Sequence, residues 1–154
     1  MDDNYLTFVD DINSLSVKKL RRSWKVMVID DEKSVHDITC LALKDFVFDD
    51  GKITFLNAYS AAEAKTIFAQ HPDTALLLVD VVMETEDSGL NFVHHVREAL
   101  KNDLVQIVIR TGQPGFAPEN EVISRYKINS YFSKTEVTAQ KLVSLVTTSL
   151  RTYQ

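Results

Sequence analysis

From Trp24 onward, short β-branched and apolar runs alternate with segments of helical period. Lys25-Val26-Met27-Val28-Ile29 lacks polar alternation, which predicts a strand covered on both faces of a sheet. Residues 33 to 45 predict a helix burying Val35, Ile38 and Ala42. A second strand is predicted over 53 to 59. Ser60 then stands three residues before Glu63, a capping box for a helix carrying Ala64, Ile67 and Phe68. That helix ends near His71, because the residue before Pro72 avoids helical geometry. Residues 75 to 79 are the most apolar run and predict the most central strand. Gly89 opens a helix with Leu90, Val93, Val96 and Leu100 at helical spacing. A fourth strand over 105 to 109, a short helix over 119 to 126, a brief fifth strand at Tyr131-Phe132 and a last helix over 138 to 151 complete the pattern.

Strands alternating with helices imply an α/β fold, and right-handed crossovers leave few topologies. The simplest is a doubly wound five-stranded parallel sheet of order 2-1-3-4-5 with five helices. Its functional crevice lies at the carboxyl ends of the strands, where the winding reverses between strands one and three. Residues 1 to 23 stand apart as an N-terminal extension, with Asp2, Asp3, Asp10 and Asp11 followed by Lys18, Lys19, Arg21 and Arg22. Residues 24 to 154 form the folded domain, with Trp24 as an anchor at the start of strand one.

The chain has 154 residues, 45% of them hydrophobic, which is enough for one domain with a real core. A balance of 17 Lys+Arg against 22 Asp+Glu is the wrong sign for a nucleic-acid binder. The one cysteine, Cys40, cannot form an internal disulfide and lies in an apolar run, so it reads as an inert core thiol in a reducing cytoplasm. The longest apolar run, 74 to 79, is too short to span a bilayer, and the N-terminus lacks the progression of a signal peptide, so no membrane partner is expected.

The strand ends converge. Strand one ends in Asp30-Asp31-Glu32, strand three in Asp80, strand four in Thr111 and strand five in Ser133-Lys134. Acids at this density repel one another unless a cation sits among them, and oxygen ligands suit Mg²⁺. The reading assigns Asp30, Asp31 and Asp80 to the metal, with the backbone carbonyl of Val82 as a further ligand. A carboxylate beside Mg²⁺ can attack phosphorus and hold the phosphoryl as an acyl phosphate, while Thr111 and Lys134 supply a hydroxyl and an ammonium to its other oxygens. Val82 offers nothing to orient an attacking water, whereas Glu84 adds negative charge near the rim. His36 reads as a supporting residue rather than a ligand, and the adjacent His94 and His95 point in different directions on a helix.

These residues resemble the receiver domain of bacterial two-component response regulators over about residues 24 to 152. The resemblance rests on Val28-Ile29-Asp30-Asp31-Glu32, Leu78-Val79-Asp80-Val81-Val82-Met83, Ile109-Arg110-Thr111-Gly112 and Tyr131-Phe132-Ser133-Lys134. It implies a flavodoxin-like fold and a cytoplasmic phosphorelay protein that is no enzyme beyond its own phosphorylation and dephosphorylation. Asp80 is then the phosphoacceptor, Asp30 and Asp31 hold Mg²⁺, Thr111 and Lys134 contact the phosphoryl group, and Tyr131 is an aromatic that turns inward when Thr111 moves. The donor is a sensor histidine kinase or phosphotransfer protein. The fourth helix, fifth strand and fifth helix form the face for a homodimer or a downstream output domain. Wording such as Arg110-Thr111-Gly112-Gln113-Pro114-Gly115 is similar to a narrower group, whose receivers precede an uncharacterised middle domain and often a domain that makes or degrades cyclic di-GMP.

Two positions depart from the family pattern. Glu84 stands where proline commonly follows methionine, in a path from Asp80 to Gly89 one residue longer than usual. Thr135 replaces the proline whose cis bond commonly follows the lysine, which favours a trans bond and a displaced Lys134. Three other readings are a Mg²⁺-dependent aspartyl-phosphate phosphohydrolase, a flavin-binding module and a non-phosphorylated pseudo-receiver scaffold. The first usually carries its two acids two residues apart after strand one, and the second needs hydroxyls and amides where this chain has acids.

Overall fold

The computed structural model describes residues 23–112, 119–135 and 138–154. The strands are β1 (Ser23–Ile29), β2 (Val47–Phe48), β3 (Gly51–Ala58), β4 (Leu76–Val79), β5 (Gln106–Thr111) and β6 (Ser130–Ser133). The helices are α1 (Lys33–Leu43), α2 (Ala61–Gln70), α3 (Ser88–His94), α4 (Glu119–Tyr126) and α5 (Ala139–Tyr153). The sheet runs β2-β3-β1-β4-β5-β6 and is parallel except for the β2–β3 pair. The expected 2-1-3-4-5 order is therefore present, extended at one edge by a two-residue strand. Asp49 and Asp50, both with positive φ (47° and 61°), make the tight turn of that hairpin, and two residues are too few to show a period. The N-terminal extension lies outside the described residues up to residue 22, and β1 begins at Ser23.

Alternation along the central strands makes two cores. Met27, Ile29, Leu77, Val79, Ile107 and Ile109 pack with Phe68 and Phe92 on one face. Val26, Val28, Leu76, Leu78 and Val108 pack with Leu43, Leu142, Val146 and Leu150 on the other. Such sealing on both faces is why β1 and β4 carry no polar residue over their inner stretch. Ser60 Oγ accepts from the Glu63 amide at 3.1 Å, and α2 stops at Gln70 just ahead of Pro72, both as the residue pattern predicts. Among the described residues, no helix is long and apolar enough to cross a membrane.

Two helices differ from expectation. α1 is rotated: it buries His36, Thr39 and Leu43, while Ile38 is 66% exposed. Polar side chains win the inner face because each finds a partner there, as described below. The helix begun by α3 continues as a π-turn over His95–Ala99, which turns Val96 and Arg97 inward and leaves Leu100 exposed. Arg97 satisfies itself by donating to the carbonyls of Lys127, Asn102 and Val105.

Candidate functional site

Asp30 follows β1 and Asp80 follows β4, two adjacent parallel strands, so both carboxylates emerge at the same edge of the sheet. They are almost fully buried, at 1% and 5% exposure. Lys134, just past β6, reaches across with Nζ 2.8 Å from Asp30 Oδ2, 3.4 Å from Asp80 Oδ2 and 3.4 Å from Glu32 Oε1. Its amide donates to the Thr111 carbonyl at 2.8 Å, which fastens the end of β6 to the end of β5. Asp31 and Glu32 are exposed, yet one oxygen from each lies within 4.8 Å of one from Asp30. The Lys134–Thr135 peptide is trans, and Lys134 still enters the crevice.

Burial comes first among the causes that push Asp80 up to about 6, followed by the charge of Asp30; Lys134 offsets part of this. Burial alone would lower Lys134, but its bond to Asp30 and the charges of Asp80, Asp30 and Glu32 outweigh it and raise the ammonium. The carboxylates outnumber the cations, and the ligand atoms that Asp30, Asp31 and Glu32 bring together are all carboxylate oxygens. That chemistry fits a hard divalent cation such as Mg²⁺.

His36 supports Asp30 from behind. Its Nε2 lies 2.8 Å from the Asp30 carbonyl oxygen and its Nδ1 lies 2.7 Å from Asn57 Oδ1, while the ring stacks on Tyr59 at 4.3 Å. Thr111 is buried at the end of β5. Tyr131 pairs in register with Ile109, and its ring is already half-buried against the core with the hydroxyl enclosed.

The loop after Asp80 is tied down at both ends. A Cβ on Gly89 would fall 1.8 Å from the Asp80 carbonyl oxygen, so only glycine allows α3 to start against the backbone of this aspartate. Ser88 Oγ accepts from the Met83 and Thr85 amides and donates to the Thr85 carbonyl. Glu84 turns away from the acids and accepts from the Ala61 and Ala62 amides at 2.9 and 3.2 Å. Burial would raise it, but bonds from the Ala61, Glu84 and Ala62 amides hold it below the usual range. Glu84 is thus a cap on α2, which corrects the expectation of added charge at the rim. The side chain of Val82 is half-buried against the core.

A crystallographic signal receiver domain of an HD domain-containing protein from Pseudomonas fluorescens superposes with a TM-score of 0.71, covering 87% of this chain and 91% of that one at 16% identity. A CheY-like response regulator receiver domain protein from Methanospirillum hungatei gives 0.68, covering 85% and 96% at 16% identity. The chain has the receiver-domain fold. No family model matches it. In sequence it is 47% identical over 131 residues to the 3'3'-cGAMP-specific phosphodiesterase 2 of Vibrio cholerae, a stretch covering 85% of this chain and 25% of that protein. The chain therefore spans about a quarter of the curated relative that it matches.

Within the receiver fold, the structure brings Asp30, Asp31, Asp80 and Lys134 together, with Thr111 buried at the end of the neighbouring β5 and its carbonyl bonded to the Lys134 amide. It adds a residue whose role the motifs do not reveal: Arg110, 6% exposed, whose Nη1 donates to Thr39 Oγ1 at 2.9 Å. An arginine interrupting an apolar strand of a sealed sheet was the available signal. Cys40 is half-buried rather than in the core, and burial with the charge of Asp37 raises its thiol.

Proposed function

We propose that the chain is the phosphoacceptor receiver domain of a two-component response regulator, with Asp80 accepting the phosphoryl group. The observation that supports this best is the buried Asp80 carboxylate at the end of β4, with the Lys134 ammonium 3.4 Å away and bridging to Asp30. Asp80 Oδ attacks the phosphorus of a phosphohistidine on a sensor kinase or phosphotransfer protein. The P–N bond breaks, and its electron pair and a proton remain with the imidazole. Lys134 and the Thr111 hydroxyl neutralise the developing charge on the phosphoryl oxygens. Asp30, Asp31, Asp80 and the Val82 carbonyl would hold Mg²⁺, which would supply Lewis-acid charge neutralisation.

Incubation with Mg²⁺ and acetyl phosphate should give one phosphoryl adduct per chain by intact mass, and none in Asp80→Asn. An adduct that persists in the variant would sink the assignment. The phosphohydrolase reading predicts multiple turnover of phosphate esters by the same sample instead. The domain itself is not an enzyme acting on other substrates under this proposal. Likeness to a quarter of a cyclic-dinucleotide phosphodiesterase supports a longer regulator in which this receiver controls a domain of that kind. In such a protein, phosphodiesterase activity should change with beryllofluoride and not in the Asp80→Asn form.

A further inference from the structure

Arg110 stands beside the acid crevice. Ile109 is in register with Val79, so Arg110 and Asp80 are the next residues along adjacent strands. Arg110 extends toward the face covered by α1 and α5, the face it shares with Val108. The guanidinium then crosses to α1, where Thr39 Oγ1 accepts from Nη1 and itself donates to the Val35 carbonyl at 2.7 Å. Nη2 is buried with no hydrogen-bond partner among the described residues. A buried charged donor left unmade is costly, and packing alone would be served better by an apolar side chain. Burial lowers the guanidinium, and the charges of Asp30 and Asp80 act back on it, so it lies within electrostatic reach of both. Arg110 and Lys134 also border one cavity of about 130 Å³ between α1 and α5, which gives the guanidinium room to turn.

We propose that Arg110 is a positioning residue of the crevice, a second cation that opposes metal binding at rest and gives its spare Nη2 donor to the crevice when charge is added at Asp80. The proposal rests on the phosphoacceptor reading for its second half only. Lys134 is already committed to three carboxylates, and Arg110 is the charge still holding a donor in reserve. The two halves have opposite signs. Removing the charge should strengthen the affinity for a divalent cation and weaken the affinity for an anionic phosphoryl mimic.

The test uses the full chain with Arg110→Met, Arg110→Gln and Arg110→Lys. Calorimetric titration with Mg²⁺ should show binding tightened at least about threefold in the Met and Gln forms, and near the parent value in the Lys form. Titration with beryllofluoride at saturating Mg²⁺ should show the reverse in the same two variants, again by at least about threefold. Thermal unfolding of each variant separates these shifts from loss of fold, and the Gln form, which can still bond Thr39, separates charge from packing. Unchanged or weaker Mg²⁺ affinity in folded Met and Gln variants overturns the proposal. A parent chain that takes no beryllofluoride while the Mg²⁺ shift is present overturns the phosphoacceptor reading and leaves the charge opposition standing.

Discussion

Glu84 Oε1 accepts the Ala61 amide at 2.9 Å, so the loop that follows Asp80 is fastened to the first turn of α2. The carboxylate satisfies orphan amides and complements the positive end of the helix. Glu84→Ala should cost about 1 kcal/mol of stability, the usual worth of a helix cap. Its pKa is lower in the folded chain than in the unfolded one, so this contribution is present above the unfolded value and lost as pH falls through the folded value. Urea melts at neutral and acidic pH would show it. Because the side chain is engaged with α2 and Val82 orients no water, the half-life of phosphorylated Asp80 should be minutes in both forms. A half-life of seconds that Glu84→Ala lengthens would place Glu84 back at the site.

Asp80 gives the opposite pH dependence. Its pKa is pushed up to about 6 in the folded chain, above the unfolded carboxyl value, chiefly by burial. Protonation therefore favours the native state, and stability falls as pH rises from about 4 to about 6. Above that range Asp80→Asn should be more stable than the parent by about 1–2 kcal/mol, a figure reduced for solvent screening at the crevice mouth. Modification by acetyl phosphate should rise with pH through the same window at low Mg²⁺, since only the ionised carboxylate is a nucleophile. A flat profile would show that Asp80 titrates as an ordinary surface acid.

Mg²⁺ binding should weaken about tenfold or more in Asp31→Ala, because this exposed carboxylate lies within 4.8 Å of its neighbours and has no hydrogen bond or ion pair among the described residues. Calorimetry is the suitable probe. Trp24 fluorescence would report poorly, because the ring sits at the opposite end of β1, donating to the Phe48 carbonyl at 2.8 Å. Six residues of strand separate it from Asp30, roughly 20 Å. Equal affinity in Asp31→Ala would remove this residue from the metal site.

The sheet was legible because β1, β4 and β5 are sealed on both faces and must read as apolar runs. Strand ends were legible for the same reason: Asp30 and Asp80 are where two of the runs stop, and Thr111 comes two residues after the third. What escaped was set by partners distant in sequence. His36 and Thr39 turn inward on α1 because Asn57 and Arg110 meet them, and a helical period counting only apolar positions assigns that face to Ile38 instead. Glu84 looked like a site acid because its acceptors' partners, the amides of α2, lie more than twenty residues away. The π-turn at His95–Ala99 has no signature in periodicity and shifts every later side chain on that helix.

Under the proposed function, an output face is expected from how Thr111 and Tyr131 are mounted. Thr111 ends β5, Tyr131 lies on β6 beside it, and the Lys134 amide ties the two strand ends together at 2.8 Å. A phosphoryl group on Asp80 adds about −1.5 to −2 charge, and drawing Thr111 and Lys134 toward it pulls on both strands. Tyr131 is already half-buried with its hydroxyl enclosed, so the proposed switch has to tighten or repack this ring instead of bringing it in from solvent. The surface that the proposal couples to that movement is α4, β6 and α5, with Glu121 and Arg125 exposed on α4 and Lys127 exposed just past it. A differential affinity of a few kcal/mol can shift a two-state population there without refolding the domain. Hydrogen exchange with beryllofluoride and Mg²⁺ should therefore slow at Thr111, across 119 to 134 and into α5, and Tyr131→Ala should blunt the change in α4. Protection confined to α1 and α2 would show that signal leaves the crevice by the opposite face, through the helix that carries Thr39 and the cap made by Glu84.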